Sequence, residues 1–191
     1  ITPIGIDHTD YLGNTMESIT KEKAGILKKS VPAVIGKQNA LSEKIIENCA
    51  LNNRSPVYLN NRDWSIKIND SSTFNIKTLY NDLEIFIPKL KGKHQIYNAG
   101  HAIACLDHIN LTIDESAIHN GVSKVKWPGR LQRILQGSLL KKLPKGSELW
   151  VDGAHNPAGA TVVAKSMEDM SSEDSITKPL VLILGLVQTK D

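Results

Sequence analysis

Apolar positions along the chain follow two alternating spacings, one helical and one strand-like. It opens on "ITPIGI" (Ile1–Ile6), which reads as a buried strand, and after "DHTD" a helix is predicted to run to about Lys28. Asn14 followed by Glu17 supplies the capping pattern for that helix, with Ile19, Ile26 and Leu27 among its apolar positions. "VPAVIG" (Val31–Gly36) predicts a strand. Leu41, Ile45 and Cys49, with Ile46 and Ala50, predict an amphipathic helix, and "PVYL" from Pro56 predicts the next strand. Strand and helix in alternation imply a parallel sheet with helical crossovers, so the fold class is α/β.

Between Trp64 and Pro88 the period changes to two. "WSIKI", "TFNIKTL" and "LEIFIP" are separated by the turn residues Asn69-Asp70-Ser71-Ser72 and Asn81-Asp82, which predicts a small antiparallel meander. Two helices follow, over about His94–Ile109 and Asp114–Ser123. Pro128-Gly129 breaks the helical pattern and is the natural domain boundary, dividing the chain into residues 1–127 and 128–191. Beyond it come the apolar runs "RLQRIL" and "LWVDGA", a long connection over Gly137–Glu148 between them, a helix opened by Pro157, and "LVLILGLV" (Leu180–Val187) as an interior parallel strand. That order reads as the start of another β-α-β unit. Neither terminal run carries its own neighbours, and the chain does not begin with Met, so an internal piece of a longer protein is expected.

Composition narrows the class. With 40% hydrophobic residues in 191, the chain can build a proper core. Its net charge of +3 comes from 23 basic and 20 acidic residues spread along the sequence, so no basic tail or aromatic-basic interleaving suggests a nucleic-acid groove. Cys49 and Cys105 lie in apolar helical patterns away from metal-ligand spacing, and are read as reduced, buried thiols of a cytoplasmic protein. The longest apolar run is too short to span a bilayer, and no signal peptide opens the chain, so no membrane partner is expected.

Candidate chemistry gathers at strand ends. "DHTD" places Asp7, His8 and Asp10 at the carboxyl end of the expected first strand, where open α/β sheets bind ligands. His8 is read either as a metal ligand or base with its ring oriented by a carboxylate, or as part of an Asx turn; spacing alone favours the turn. Lys23 by itself is a surface lysine. Asp152 and His155 in "VDGAHNP" occupy a second strand-end turn, beside a helix start able to receive an anion, or else form a capped turn only. Arg130 in "WPGR" either reaches a phosphate from the joint or is a solvated arginine. His94, His101 and His108 recur every seven residues, which is two helical turns; a partly solvated stripe is expected, not a metal site.

Four ordered segments, "DHTDYLGNTMESITKEKAGI", "GKHQIYNA", "WPGRLQRI" and "VDGAHNP", together resemble the folylpolyglutamate synthase and dihydrofolate synthase family, relatives of the Mur peptide ligases. The resemblance implies a central ATP-binding ligase domain over 1–127 and the first half of a Rossmann-like carboxyl-terminal ligase domain over 128–191. It further implies an amide ligase that joins L-glutamate to dihydropteroate or to a folylpolyglutamate through an acyl phosphate, with ATP and Mg²⁺. On this resemblance His8 binds magnesium, Lys23 is carbamylated, and Asn98 meets the nucleotide base with Gln95 beside it. Arg130 contacts phosphates, Asp152 holds the nucleotide, and His155 sits near the phosphates. The intact protein is expected to be a monomer.

The sequence lacks several parts of that family's site, among them the acidic magnesium ligand upstream of "DHTD" and most of the pterin site. The family's phosphate loop, G-x-x-G-K-[ST], has no match here, since Gly36-Lys37 is followed by Gln38 and Gly92-Lys93 by His94. An inactive central piece is therefore expected. Two alternatives stay open: a non-catalytic nucleotide- or folate-binding module, and a Mur-type ligase of peptidoglycan synthesis.

Overall fold

The computed structural model describes residues 1–69, 71–109, 111–173 and 179–185. Helix α1 (Thr9–Leu12) leads through Gly13 into α2 (Met16–Ala24). The cap of α2 is Thr15, which exchanges bonds with Ser18, so the expected Asn14 and Glu17 pair does not form it. Thr15 accepts the Ser18 N–H at 3.1 Å, satisfying a donor that Asn14, one residue earlier, leaves unmatched. The helix stops at Gly25, before Lys28.

Strand β1 (Ala33–Ile35), helix α3 (Ala40–Asn53) and strand β2 (Val57–Leu59) form the expected crossover unit, with β1 and β2 parallel and in register from Ala33–Val57 to Ile35–Leu59. Residues 1–6 are not a strand. Only Ile1 bonds to β1 in the manner of a parallel neighbour, donating to Val34 O and accepting from Gly36 N. Pro3 has no N–H, and the Gln38 side chain takes up Ile4 N–H and Thr2 C=O, so the ladder cannot propagate. One core collects here: Ala24, Leu27, Ile35, Ile46, Ala50 and Leu59. It is stitched by a buried hydroxyl pair between α2 and α3, Thr20 Oγ1 and Ser42 Oγ at 2.9 Å.

The meander is formed as the alternation predicts, by β3 (Ser65–Ile68), β4 (Thr73–Lys77) and β5 (Asp82–Phe86), antiparallel in sequence order. Within the first turn Asp70 lies outside the described residues. Helix α4 (Lys93–Leu106) lies between the two sheets: Ile96 and Ile103 pack with Phe74, Ile76, Ile85 and with Ile118 of α5 (Glu115–Lys124), while Ala104 meets Val34 and Trp64. The expected partly solvated histidine stripe holds for His94 and His108, which are half-buried, and fails for His101. His101 is buried, its Nε2 bonds to Val34 O at 3.1 Å and its ring leans on Trp64; His108 stacks on Tyr58 with ring centroids 3.7 Å apart. The heptad spacing faces a sheet, where an imidazole can both pack and satisfy a carbonyl.

Strands β6 (Gln132–Ile134) and β7 (Leu149–Val151) pair antiparallel, so "RLQRIL" and "LWV" form a hairpin. Helix α6 (Pro157–Glu173) follows. Residues 180–184 form no strand and are 68–88% exposed, because no described strand offers them a partner; Leu186 and Val187 of the expected strand lie outside the described residues. The two cysteines are free and half-buried, less enclosed than expected. No helix among the described residues is long and apolar enough to cross a membrane.

Candidate active site

The turn after Ile6 places His8 in the left-handed region, φ 54° and ψ 39°, as the residue that starts α1. Its N–H donates to Asp7 Oδ1 at 2.8 Å, a local bond that supports a conformation most residues avoid. The Asp7 carboxylate is largely enclosed, and its Oδ2 lies 3.5 Å from His8 Nε2.

The same Oδ2 accepts a 2.8 Å hydrogen bond from Asn156 Nδ2, 149 positions away, and lies 3.6 Å from His155 Nε2. Asn156 Oδ1 meanwhile accepts from Gly159 N–H and caps the first turn of α6. His155 Nδ1 sits 2.8 Å from Gly153 O, and a carbonyl only accepts, so Nδ1 carries a proton and donates it there. Its Nε2 is turned toward the Asp7 carboxylate. Donor atoms of Asp7, His8 and His155 all lie within 4.8 Å of one another, and no other such group occurs among the described residues. One carboxylate and two imidazoles on an exposed face make a donor set that fits a divalent cation and leaves room for water and phosphate oxygens.

A second group surrounds the joint after Pro128. Asp152 accepts Leu131 N–H and Ala154 N–H, each at 2.7 Å, and so ties the β6 approach to the turn after β7. Gly153 N–H donates to Gly129 O at 2.9 Å. Gly129 has φ +70°, a backbone requirement of its turn, whereas a Cβ on Gly153 would sit 2.9 Å from the tip of the Arg130 side chain, Nη1. Arg130 and Asp152 both act electrostatically on His94, at the start of α4. On that helix Asn98 Nδ2 donates to Gln95 Oε1 at 3.2 Å, and Gln95 Nε2 lies 2.8 Å from His94 Nε2. Burial pushes the His94 pKa down; Asp152 opposes this and Arg130 reinforces it.

A profile of the Mur ligase middle domain matches residues 1–106. This chain belongs to the Mur ligase family. Among curated Mur ligase relatives, the probable dihydrofolate synthetase of Schizosaccharomyces pombe is 30% identical over 202 residues, covering 100% of this chain and 44% of its own length. The dihydrofolate synthase/folylpolyglutamate synthase of Bacillus subtilis is 31% identical over 186 residues, covering 93% and 41%. The chain thus spans less than half the length of these relatives. Of solved structures, Mycobacterium tuberculosis folylpolyglutamate synthase complexed with ADP and AMPPCP aligns with TM-score 0.72 at 29% identity, covering 87% of this chain and 38% of that one. Escherichia coli FolC in complex with DHPP and ADP aligns with TM-score 0.73 at 27% identity, covering 88% and 37%.

Tertiary structure therefore joins His8 to His155, and gathers Arg130, Asp152 and the start of α4 into one neighbourhood. Lys23 stands apart on the last turn of α2, half-buried, with no ion-pair partner for its ammonium among the described residues. Sequence reasoning gave Asp7 only the task of orienting His8 and Asn156 only that of a turn cap; their mutual bond has no sequence signal beyond their presence in two quoted motifs. A surface cleft of about 460 Å³ is lined by Phe86, Ser116, His119, Asn120 and Ser123, none of which belongs to either group. Its shallow, open form has none of the charge convergence of the Asp7 group.

Proposed function

We propose that the intact protein containing this chain is an ATP-dependent amide ligase that joins L-glutamate to dihydropteroate, to a folylpolyglutamate, or to both. One observation carries the reading: Asn156 bonded to Asp7, which draws His8 and His155 of two distant motifs onto one carboxylate. The names of the Bacillus and Escherichia relatives, dihydrofolate synthase/folylpolyglutamate synthase, support the substrate class.

In this reading ATP transfers its terminal phosphoryl group to the substrate carboxylate, and the glutamate amine attacks the resulting acyl phosphate and expels phosphate. Such transfer is catalysed chiefly by positioning and charge neutralisation. Asn98 meets the base, Asp152 faces the ribose from the turn it organises, and Arg130 neutralises phosphate charge from the joint. His8, with Asp7 and His155 beside it, would hold a magnesium ion, which when bound supplies charge neutralisation at the phosphate oxygens. Lys23 as a carbamate presents a carboxylate-like anion in place of its ammonium, able to orient a hard cation through oxygen. Residues 1–127 form part of the ATP-binding domain, and residues 128–191 the joint and the beginning of the next domain.

The test is ATP-dependent incorporation of labelled glutamate by the intact protein, with dihydropteroate and a reduced folate as acceptors. Joining to either acceptor, lost in His8→Ala with the fold retained, supports the reading. ATP binding with no transfer to either acceptor overturns it in favour of a binding module or another Mur-type substrate.

A further inference from the structure

The side chain of His94 plays no part in the phosphoryl chemistry outlined above, yet one of its nitrogens is the single buried side-chain polar atom without a hydrogen-bond partner among the described residues. Such atoms are rare in folded proteins and ask for a reason. Its neighbours supply one. Asn98 donates through Nδ2 to Gln95 Oε1, which leaves the Gln95 amide nitrogen as the atom facing His94 Nε2, 2.8 Å away. An amide nitrogen only donates, so His94 Nε2 accepts and its proton resides on Nδ1. Nδ1 is the unpartnered atom. The ring has no other acceptor to offer Gln95, and the tautomer is kept although its N–H goes unmet.

We propose that His94 is a positioning residue for base recognition: as an Nδ1–H tautomer it receives the Gln95 amide, and Gln95 in turn holds the carboxamide of Asn98 in the orientation that meets the adenine. The inference rests on the nucleotide-binding reading of Asn98. Direction is what the relay sets. A carboxamide presents a donor on one side and an acceptor on the other, and a rotated Asn98 would offer the wrong pair to a base edge. Gln95 is buried and so cannot take its order from solvent. The surroundings suit a fixed ring. A Cβ on Gly92 would lie 2.6 Å from His94 Nδ1 and 2.8 Å from Ser166 Oγ, so the absence of a side chain at Gly92 makes space for the imidazole between the start of α4 and helix α6. Burial, the largest influence on the ring, favours its neutral form, and a neutral ring is required for Nε2 to accept.

The test compares binding of ATP and of inorganic tripolyphosphate to the intact protein by calorimetry, for the wild type, His94→Leu, His94→Gln, Asn98→Ala and the His94→Leu/Asn98→Ala pair. Thermal unfolding checks the fold of each. His94→Leu is expected to weaken ATP binding by roughly fivefold to tenfold, the worth of one directed hydrogen bond, and to leave tripolyphosphate unchanged. His94→Gln, whose side-chain oxygen can accept from Gln95, is expected to recover most of the loss. In the Asn98→Ala background His94→Leu should add nothing further. If Asn98→Ala weakens ATP binding and His94→Leu does not, or if leucine and glutamine behave alike, the relay is wrong and the nucleotide reading stands. If Asn98→Ala itself leaves ATP affinity intact, the nucleotide reading of this helix falls, and the relay with it. A measurement without substitution guards against misfolding: nitrogen NMR of the wild-type imidazole should report the proton on Nδ1, and a proton on Nε2 would overturn the proposal.

Discussion

Asn156 donates to Asp7 across 149 positions of sequence at 2.8 Å, and with its other side-chain atom caps α6. One amide therefore fixes the entry of a helix and the carboxylate between His8 and His155. Asn156→Ala removes both bonds. A lost cap of this kind costs about 1–2 kcal/mol, and the unfolding midpoint of the intact protein is expected to fall by about 2–8 °C. An unchanged midpoint would mean that the two bonds are not made in solution.

Divalent-cation binding should depend on the same carboxylate. Mn²⁺, followed by its electron paramagnetic resonance, is expected to bind the intact protein more weakly by about tenfold or more in Asp7→Asn, and likewise in His8→Ala and His155→Ala. Equal Mn²⁺ affinity in all three variants and the wild type would remove the metal assignment.

Lys23 is half-buried on α2 with no ion pair among the described residues, so its replacement should leave the fold intact. Activity of the intact protein is expected to be lost in Lys23→Ala. A carbamate is in equilibrium with CO₂, so wild-type activity should fall in CO₂-depleted buffer and return on adding bicarbonate. Insensitivity to CO₂ together with full activity of Lys23→Ala would end the carbamate reading.

Gly153 has a geometric rather than an energetic role. A Cβ there meets the tip of Arg130, a flexible group that can move, so Gly153→Ala should cost little stability while raising the KM for ATP several-fold. Gly129→Ala, at φ +70°, should instead destabilise by about 1–2 kcal/mol. A stability loss at both positions and no change in KM would show that Arg130 does not act on the nucleotide.

Acid should destabilise the fold through the histidines on and just after helix α4. Burial lowers the folded pKa of His94, His101 and His108 below the ordinary 6.5, so the unfolded chain binds more protons than the folded one between those values. Their contribution is complete above about pH 6.5 and declines as the pH falls through and below it. The unfolding midpoint should drop from pH 7 to pH 5, and the drop should be smaller in His101→Phe, which removes one of the protons taken up. A midpoint flat over that range would contradict their buried, neutral state.

Much of the fold was legible in the pattern of apolar residues, because period and local chemistry suffice where an element is closed by its own neighbours. The β1-α3-β2 crossover and the three-stranded meander lie where alternation and turn residues predict them. Prediction failed where pairing depended on a partner. "ITPIGI" and "LVLILGLV" are strand-like in composition, yet a strand exists only when another accepts its ladder, and Pro3 and the Gln38 side chain interrupt the first. "RLQRIL" and "LWV" were strands as expected, but their antiparallel pairing is set by the chain reversal between them rather than by their residues.

The sequence by itself determined the family motifs and the residue types in them: His8, Lys23, Asn98, Arg130, Asp152 and His155 are candidates by their place in short quoted segments. What it could not determine is which of them meet. Only the tertiary structure decided that Asp7 stands between two histidines from distant parts of the chain, that Asp152 spends both oxygens on backbone N–H groups, and that the His94 ring lies against the Gln95 amide. The physical reason is one of range. Propensity and periodicity act over a few residues, whereas a hydrogen bond between Asp7 and Asn156 is fixed by how two separately formed elements pack.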